Sequence, residues 1–274
     1  MLKEAREGGY AVGAFNILDY NSMKAVIDAA TGLNSPVIVQ TSVKTVLFWG
    51  YKPIIDWFRE LAGRADVPVA IHLDHCKDLE VIRRCMEHGW TSVMIDASSL
   101  PFEENVALSK QVLGLAKPLG ISVEAELGEI GGVEDDLAVS EEDAHLARPE
   151  RALEFVDRVR VDCFAPAIGT AHGVYKGVPR ISYANLETIS SGTAIPLALH
   201  GGTGLSEKVF RRCISLGCAK VNISTRLKYA HLDGFADYHR EHPDEYNPLK
   251  ALGAQYEALK RAVEENIILF RNRD

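Results

Sequence analysis

Long apolar runs are missing from this sequence. No stretch approaches the roughly 18 consecutive apolar residues that a membrane-spanning helix needs, so no membrane association is expected. The first residues, MLKEAREGGYAV, are charged and amphipathic and do not resemble a signal peptide. Together these two features favour a cytoplasmic location.

Paired cysteines and an excess of basic residues are missing as well. The five cysteines are scattered and form no CxxC pair, so free thiols in a reducing compartment are expected rather than disulfides. With 30 Lys and Arg against 38 Asp and Glu, the formal net charge is −8. Such a chain offers no basic stripe for nucleic acid. A local pocket for a phosphorylated small molecule remains compatible with this charge.

Short apolar runs alternate with amphipathic segments along the whole chain. The candidate strands are 11–15, 37–41, 69–73, 92–96, 122–127, 162–167, 196–200 and 220–224. The candidate helices between and after them are 20–32, 52–63, 78–88, 102–117, 149–158, 183–191, 206–216 and 225–240. Eight βα units predict an α/β protein with a closed (β/α)8 barrel, as one domain over residues 1–274. A doubly wound open sheet is the alternative, but it would not require a count of eight.

Two segments fall outside the βα pattern. Residues 128–148, GEIGGVEDDLAVSEEDAHLAR, contain seven acids and two adjacent glycines, and they predict an irregular loop at the active site. Residues 248–270 carry apolar side chains at helical spacing and predict one extra amphipathic helix. That helix would suit packing below the barrel or against another subunit.

Three histidines follow apolar runs at turns. His75 stands in VAIHLDHC, His172 in CFAPAIGTAHG and His200 in IPLALHGGTG. A single histidine in such a position is more often a hydrogen-bonding or capping residue. Three imidazoles from three strand ends are typical of a catalytic zinc site with one open coordination position.

Carboxylates accompany these histidines. Asp74 directly precedes His75, and it is either an acid/base next to a metal or an N-cap of the helix that begins near Asp78. Glu124 and Glu126 lie two apart and therefore share one face of a strand. If that face lines the barrel, the carboxylates need a metal, a lysine such as Lys176 or water to offset desolvation. A hydrogen-bond network without a metal is equally compatible with the pattern.

Polar or glycine residues end nearly every predicted strand, where an α/β barrel has its active site. Besides those above, they include Asn16, Ser42, Asp96, Gly201, Gly202, Asn222, Ser224 and Thr225. Ser42 and Thr225 are the best candidates for simple helix caps. The turns GGTG (201–204) and VNIST (221–225) precede helices and follow strands seven and eight, which is the usual phosphate site of this fold.

Taken together, HLDHC, VEAELGEIGGVEDD, GTAHGVY, LHGGTG and KVNIST resemble the class II, zinc-dependent ketose-bisphosphate aldolases, which include fructose- and tagatose-bisphosphate aldolases. The resemblance runs from VGAFNI to the C-terminal helix. It implies a (β/α)8 barrel that reversibly cleaves a phosphorylated ketose into dihydroxyacetone phosphate and an aldehyde. Bound zinc would act as a Lewis acid that stabilises the ene-diolate, so neither Lys176 nor Lys220, the lysines expected near the mouth, is needed as a Schiff base.

The resemblance also implies a role for each matched residue. His75, His172 and His200 would bind one Zn2+, with Glu126 as a neighbouring carboxylate. Asp74 would be the acid/base at the bond that is cleaved, and Glu134 would exchange a proton at C1. The substrate would contact Asn16, Ser42, Gly173, Lys176, Gly201, Gly202, Thr203, Asn222, Ile223, Ser224, Thr225 and Arg226.

Further expectations concern partners and cofactors. The resemblance allows a monovalent cation beside the zinc, and it predicts a sugar phosphate substrate and a homo-oligomer, either a dimer or a tetramer. The sequence departs from the family where fructose enzymes usually carry Asp-Thr-Asp. Here the run is Ser224-Thr225-Arg226, nearer the tagatose branch, and the Arg226 guanidinium is either a surface group or a ligand for an anion on the aldehyde half.

The residue pattern by itself leaves two alternative functions open. A zinc hydrolase on the same barrel, with one metal or with two bridged by Asp96 or Glu126, would act on a phosphorylated substrate. A structural or regulatory barrel of the kind that accompanies some tagatose-type aldolases would be expected to lack a ligand. All three histidines and Asp74 are present here, which favours an enzyme.

Overall fold

The computed structural model contains a closed barrel of eight parallel strands. It describes residues 1–134, 137–139, 145–173, 175, 177 and 179–272, and for residues 131–139 only the backbone. The barrel strands are β1 (Val12–Asn16), β2 (Val37–Ser42), β3 (Val69–Cys76), β4 (Ser92–Ile95), β5 (Ser122–Leu127), β8 (Cys163–Pro166), β10 (Leu197–Leu199) and β11 (Cys218–Ile223). Each predicted strand is present, and pairing of β1 with β11 closes the barrel, which confirms the predicted fold class.

Eleven α-helices in the described residues accompany these strands. They are α1 (Leu2–Glu7), α2 (Tyr20–Gly32), α3 (Val43–Trp49), α4 (Tyr51–Ala62), α5 (Leu79–His88), α6 (Phe102–Ala116), α7 (Pro149–Val159), α8 (Tyr183–Gly192), α9 (Glu207–Ser215), α10 (Thr225–Glu241) and α11 (Pro248–Phe270); a 3-10 turn spans Lys117–Leu119. The predicted helices match to within about two residues. Helices α1 and α3 were not predicted, because each is short and carries little helical periodicity. None of the helices in the described ranges has the length and apolarity to cross a membrane.

Away from the β-bulges, the strand residues alternate between two environments. Along β11, Val221 and Ile223 pack outward into the large core between sheet and helices. Lys220 and Asn222 alternate with them along the strand and are buried polar residues of its other face. β5 repeats the pattern, with Val123 and Ala125 in the outer core. Because adjacent side chains of a strand point to opposite faces, the barrel interior is largely polar and the apolar core lies around it.

The stretch predicted to be an irregular loop contains two short strands. β6 (Gly131–Glu134) and β7 (Leu137–Val139) form an antiparallel pair, and β6 also pairs with β9 (Ala171–His172), with Gly132 opposite His172. This small sheet therefore fixes the position of the backbone at His172, one of the predicted metal ligands. Its long-range pairing leaves no local periodic signal, which is why the sequence suggested a loop.

The C-terminal helix has the predicted bounds and packs beside the barrel. α11 lies mainly against α10 and α2, and the carbonyl of Phe270 accepts a hydrogen bond from the Ala11 backbone N–H at the start of β1. The side chain of Asn247 caps its first turn. The bottom of the barrel is instead covered by α1, whose Ala5 packs with Val12 and Ala14.

All five cysteines lie in the described part of the chain, where they are buried free thiols. This agrees with the sequence prediction. Burial raises the pKa of the Cys76 thiol to about 12, so that thiol stays protonated at neutral pH and behaves as an apolar side chain.

Candidate active site at the carboxyl ends of the strands

A β-bulge brings two consecutive residues of β3 into the same site. Leu73 is paired with Val93, but Cys76 is paired with Ile95, so β3 contains one extra residue between these pairs. His75 within the bulge has a φ of +45°, which is rare for a residue with a Cβ. Without the bulge, Asp74 and His75 would point to opposite faces of the strand, and only one could reach the site.

The three predicted metal ligands converge. One ring nitrogen each of His75, His172 and His200 lies within 4.8 Å of the other two. The rings of His75 and His200 are nearly perpendicular, with centroids 4.7 Å apart, and the His172 ring lies 4.9 Å from that of His75. His172 and His200 are buried, and the three donors come from β3, β9 and the end of β10.

Carboxylates fix the orientation of two of the rings. Nδ1 of His75 lies 3.0 Å from Oδ2 of Asp96, and Nε2 of His200 lies 2.8 Å from Oε1 of Glu124. Each carboxylate favours a proton on the nitrogen that it contacts. The remaining nitrogens, Nε2 of His75 and Nδ1 of His200, lie 2.9 Å apart and share a hydrogen bond. A metal ion bound by both nitrogens would take the place of the shared proton, so the donor set fits a metal ion.

Glu126 provides a fourth potential donor. It is fully buried, its Oε2 makes no hydrogen bond, and that atom lies 3.4 Å from Nδ1 of His200. Burial, with the nearby charge of Asp96, raises the pKa of Glu126 well above its ordinary value. A carboxylate in such a position gains from an adjacent cation.

Two amides hold Asp74. Asn16 Nδ2 donates to Oδ2 of Asp74 at 3.0 Å, and Asn222 Nδ2 donates to Oδ1 at 3.2 Å. Gln40 Nε2 in turn donates to Oδ1 of Asn16 at 2.9 Å, which orients that amide. The alternative role of Asp74 as a helix cap is wrong, because the carboxylate of Asp78 itself caps α5. Asp74 is therefore a fixed carboxylate beside the histidines.

Glycines form a cradle next to the histidines. The cradle is a small cavity lined by His172, Gly173, Gly201, Gly202, Thr203, Asn222, Ser224 and Thr225. Gly201 has a φ of +65°, and a Cβ there would collide with the carbonyl of Ala171. A Cβ at Gly202 would lie 2.7 Å from the carbonyl oxygen of Asn222. Only glycine fits at these two positions, which brings backbone close to any ligand in the cradle.

Two buried polar atoms that line the cradle lack a partner. Oδ1 of Asn222 and Oγ of Ser224 make no hydrogen bond, and such groups are costly unless a ligand satisfies them. Thr225 is the first residue of α10 rather than its cap, and Ser224 occupies the cap position without a side-chain cap bond. The Ile223 side chain packs in the outer core, so only its backbone can contribute to a ligand site.

Ser42 and Arg226 each make contacts with other residues of the chain. The Ser42 hydroxyl accepts a hydrogen bond from the Thr45 N–H at 3.3 Å and caps α3, as the sequence suggested. The backbone N–H of Arg226 donates to Thr203 Oγ1, and its guanidinium forms an ion pair with Glu265 of α11. Contact between that guanidinium and a substrate stays a prediction. The Lys176 residue and the Glu134 side chain lie outside the described residues.

A buried ion pair supports His200 from below, and the sequence did not reveal it. Nζ of Lys220 lies 2.8 Å from Oε2 of Glu124, which also contacts His200 through its other oxygen. Burial opposes ionisation of Glu124, but Lys220, the hydrogen bond with His200 and the nearby His72 together outweigh it and hold the pKa of Glu124 well below its ordinary value. Lys220 therefore belongs to the barrel interior, and the expectation that it lies near the mouth is wrong.

Comparison with known proteins identifies the family. The family described as fructose-bisphosphate aldolase class II matches residues 1–274. The chain belongs to this class II aldolase family. It is therefore an aldolase, a carbon–carbon lyase, and the hydrolase alternative is set aside. The family implies a divalent metal and a sugar phosphate substrate, and the His75, His172 and His200 triad is consistent with a zinc site.

Three relatives illustrate the range of the family. The chain is 44% identical to the D-tagatose-1,6-bisphosphate aldolase subunit GatY of Klebsiella oxytoca, over 97% of this chain and 94% of that protein. It is 40% identical to the sulfofructosephosphate aldolase of Alkalicoccus urumqiensis, over 98% and 94%. The crystal structure of the YdjI aldolase from Escherichia coli K12 superposes with a TM-score of 0.86 at 34% identity, over 98% and 94%.

Proposed function

We propose that this protein is a zinc-dependent aldolase that reversibly cleaves a ketose 1,6-bisphosphate, of the tagatose or fructose type, into dihydroxyacetone phosphate and an aldehyde. The observation that carries the proposal is the juxtaposition of three imidazoles, a carboxylate held by two amides, and a glycine cradle. Together they would supply a metal site, an acid/base and a phosphate site within one mouth.

The metal would be a single Zn2+ held by Nε2 of His75, Nδ1 of His200 and one ring nitrogen of His172. Nitrogen donors in a set of three, with room for a further ligand, are the donors that catalytic zinc prefers. When bound, the ion would act as a Lewis acid on the oxygens of the ketose. Glu126 would lie beside it, and a monovalent cation could balance further charge.

Asp74 would move the proton of the hydroxyl next to the bond that breaks. Its two oxygens are fixed by Asn16 and Asn222, which is the preorganisation that general acid/base catalysis requires. By its position in the GGVEDD motif, Glu134 would exchange the proton at C1 of dihydroxyacetone phosphate.

The cradle would hold the phosphate of dihydroxyacetone phosphate. Backbone N–H groups at Gly173, Gly201–Thr203 and Asn222–Thr225 suit an anion, and the adjoining starts of α9 and α10 favour negative charge. The unpartnered Ser224 Oγ could donate to the same phosphate. Lys176 would add a positive charge nearby.

The Ser224-Thr225-Arg226 run, nearer the tagatose branch, favours tagatose 1,6-bisphosphate as the first substrate to test. The names of the relatives include both a tagatose-bisphosphate and a sulfofructosephosphate aldolase. Selection between these substrates would depend on the aldehyde half, since the dihydroxyacetone phosphate half is common to them.

A homo-oligomer, a dimer or tetramer, is also part of the proposal. Tyr229, Leu232 and Phe235 on α10 and Leu249 and Leu252 on α11 are large apolar side chains that remain exposed in one chain. Large apolar side chains that stay exposed in one chain are typical of a surface that another subunit covers. Sedimentation of the purified protein would measure the subunit count.

The test of the proposed function is a retro-aldol screen. Ketose 1-phosphates and 1,6-bisphosphates of fructose and tagatose would be incubated with zinc-loaded and chelator-treated protein, and dihydroxyacetone phosphate would be measured by a coupled enzyme. We expect cleavage only in the loaded protein and a preference for one bisphosphate. Zinc-independent cleavage, or no cleavage of any ketose phosphate, would contradict the proposal.

A further inference from the structure

The hydroxyl of Tyr175 links the segments that carry two of the three histidines. It accepts a hydrogen bond from the backbone N–H of Ala171 at 3.0 Å and donates one to the carbonyl of Gly201 at 2.7 Å. Ala171 directly precedes His172, and Gly201 directly follows His200. A single side chain therefore fixes the glycine turn after β10 against β9.

The Tyr175 ring is fixed by its surroundings. It is half-buried and packs against the outer core of the barrel. The last glycine of the GGTG turn lies beside it, because a Cβ at Gly204 would come within 3.4 Å of the ring. Burial raises the pKa of the Tyr175 hydroxyl to about 12, so the hydroxyl keeps its proton and can donate at neutral pH.

The hydrogen bond to Gly201 also sets the direction of one peptide bond. A peptide bond is planar and trans, so its carbonyl and its N–H point in opposite directions. Since the carbonyl of Gly201 points at Tyr175, the N–H of Gly202 points away from the tyrosine. Gly202 is buried and lines the cradle, whereas Tyr175 is not among the described residues that line it.

The N–H of Gly202 is available to a ligand. Within the described residues, no backbone carbonyl accepts a hydrogen bond from it. A buried N–H that lacks an acceptor costs free energy unless a ligand supplies one. An anion in the cradle would supply that acceptor.

We infer that Tyr175 is a positioning residue for the phosphate of the substrate: by holding the Gly201 carbonyl, its hydroxyl turns the N–H of Gly202 into the cradle. This inference rests on the proposed aldol cleavage, because it takes the cradle as the phosphate site. In this role Tyr175 touches neither the metal nor the substrate and acts through the backbone. The hydrogen bond from Ala171 anchors the same hydroxyl to the strand of His172, which keeps the cradle at a set distance from the metal site.

The experiment removes one oxygen atom. Tyr175→Phe keeps the ring and loses both hydrogen bonds. The matched control is Tyr256→Phe, which removes a hydroxyl that donates to Oδ2 of Asp28 at 2.6 Å, between α11 and α2. Binding of inorganic phosphate is measured by phosphorus NMR titration of the zinc-free protein and by inhibition of cleavage in the zinc-loaded protein. Zinc affinity, Tm, kcat and KM are measured for each variant.

We expect the dissociation constant of inorganic phosphate to rise about tenfold in Tyr175→Phe, as for loss of one hydrogen bond to a charged group. KM for the ketose bisphosphate should rise by a similar factor, and kcat should change less, because an N–H that holds the phosphate throughout the reaction contributes uniform binding. Zinc affinity should change by less than about threefold. Tyr256→Phe should keep the phosphate affinity of the unmodified protein, whatever it loses in Tm.

Unchanged phosphate affinity in Tyr175→Phe, or an equal rise of the dissociation constant in Tyr256→Phe, would overturn the inference. A loss of zinc affinity as large as the loss of phosphate affinity would also overturn it, because the hydroxyl would then serve the metal ligands. Failure of the proposed function is a separate result, because there the unmodified protein would cleave no ketose phosphate.

Discussion

Replacing Lys220 by methionine would break the buried ion pair beneath His200. Lys220 and Glu124 are each 1% exposed, and their charged atoms are 2.8 Å apart. Methionine fills a similar volume but leaves the Glu124 carboxylate without its cation. Removal of one partner from a buried pair costs about 3–5 kcal/mol of unfolding free energy. At roughly 2–3 °C per kcal/mol for a chain of this length, Tm should fall by about 6–15 °C.

The same change should weaken metal binding. Glu124 orients His200 so that Nδ1 faces the metal site, and a carboxylate that has lost its cation will rearrange or take up a proton. Loss of such a supporting contact typically costs about 10–100-fold in metal affinity. Zinc would then stabilise the variant by about 1.4–2.7 kcal/mol less than the wild type at saturating metal.

The pH of the measurement follows from the two pKa shifts. The pKa of Glu124 is lowered, so its contribution to stability is complete above about pH 4.5 and is lost as the pH falls through its folded pKa. The pKa of Lys220 is raised, so its contribution is complete below about pH 10.5 and is lost as the pH rises through its folded pKa. The full difference between wild type and variant should therefore appear at pH 7 to 8.

The assay is thermal and urea unfolding of zinc-loaded and chelator-treated protein, with zinc affinity measured by competition. The double variant Lys220→Met with Glu124→Gln should be more stable than Lys220→Met alone, because the unpaired charge is gone. Lys52→Met controls for the loss of a surface lysine. If the unfolding free energy of Lys220→Met is within about 1 kcal/mol of the wild-type value and the variant binds zinc equally well, the ion pair does not support the metal site.

Three further predictions concern the metal, the proton transfers and pH. His172→Ala should abolish both bound zinc and turnover, since two ligands cannot hold a catalytic ion in a set geometry; stoichiometric zinc with full activity in this variant would refute the ligand set. Asp74→Ala should cripple cleavage but retain zinc, whereas Glu134→Ala should slow solvent proton exchange at C1 of dihydroxyacetone phosphate; equal loss of exchange in both would show that the roles are misassigned. Burial, with the charge of Lys220, lowers the pKa of His72 to about 3 in the folded chain, from an ordinary value of 6.5. As the pH drops below about 6.5, the unfolded chain therefore takes up a proton at His72 that the folded chain does not, and the free energy of unfolding falls. From pH 7 to pH 5 the zinc-free wild type should lose about 2 kcal/mol more than His72→Gln, and parallel stability profiles would contradict this.

Much of the site could be predicted because the barrel repeats one local unit. Each strand is a short apolar run, and polar residues at strand ends share one face of the barrel by topology alone. For this reason His75, His172 and His200 could be grouped from sequence before any distance was known. The glycine turns could be predicted for the same reason, since the need for glycine at a turn depends on the local conformation of the backbone.

The contacts that support the site depended on the tertiary structure. The bulge that turns both Asp74 and His75 inward is set by pairing of β3 with β4, and the pairing of β6 with His172 joins segments about forty residues apart. Neither leaves a periodic signal in the chain.

Which charged residues lie close together could not be predicted from the sequence either. Lys220 is separated from Glu124 by 96 residues in sequence, yet is 2.8 Å from it in space, and Lys44 and Lys228 meet at one pocket from opposite ends of the chain. The sequence by itself determined which residue types end each strand, because that is a local matter of burial and turn chemistry. Only closure of the barrel decided which of them touch, because strand pairing sets the distances between residues remote in the chain.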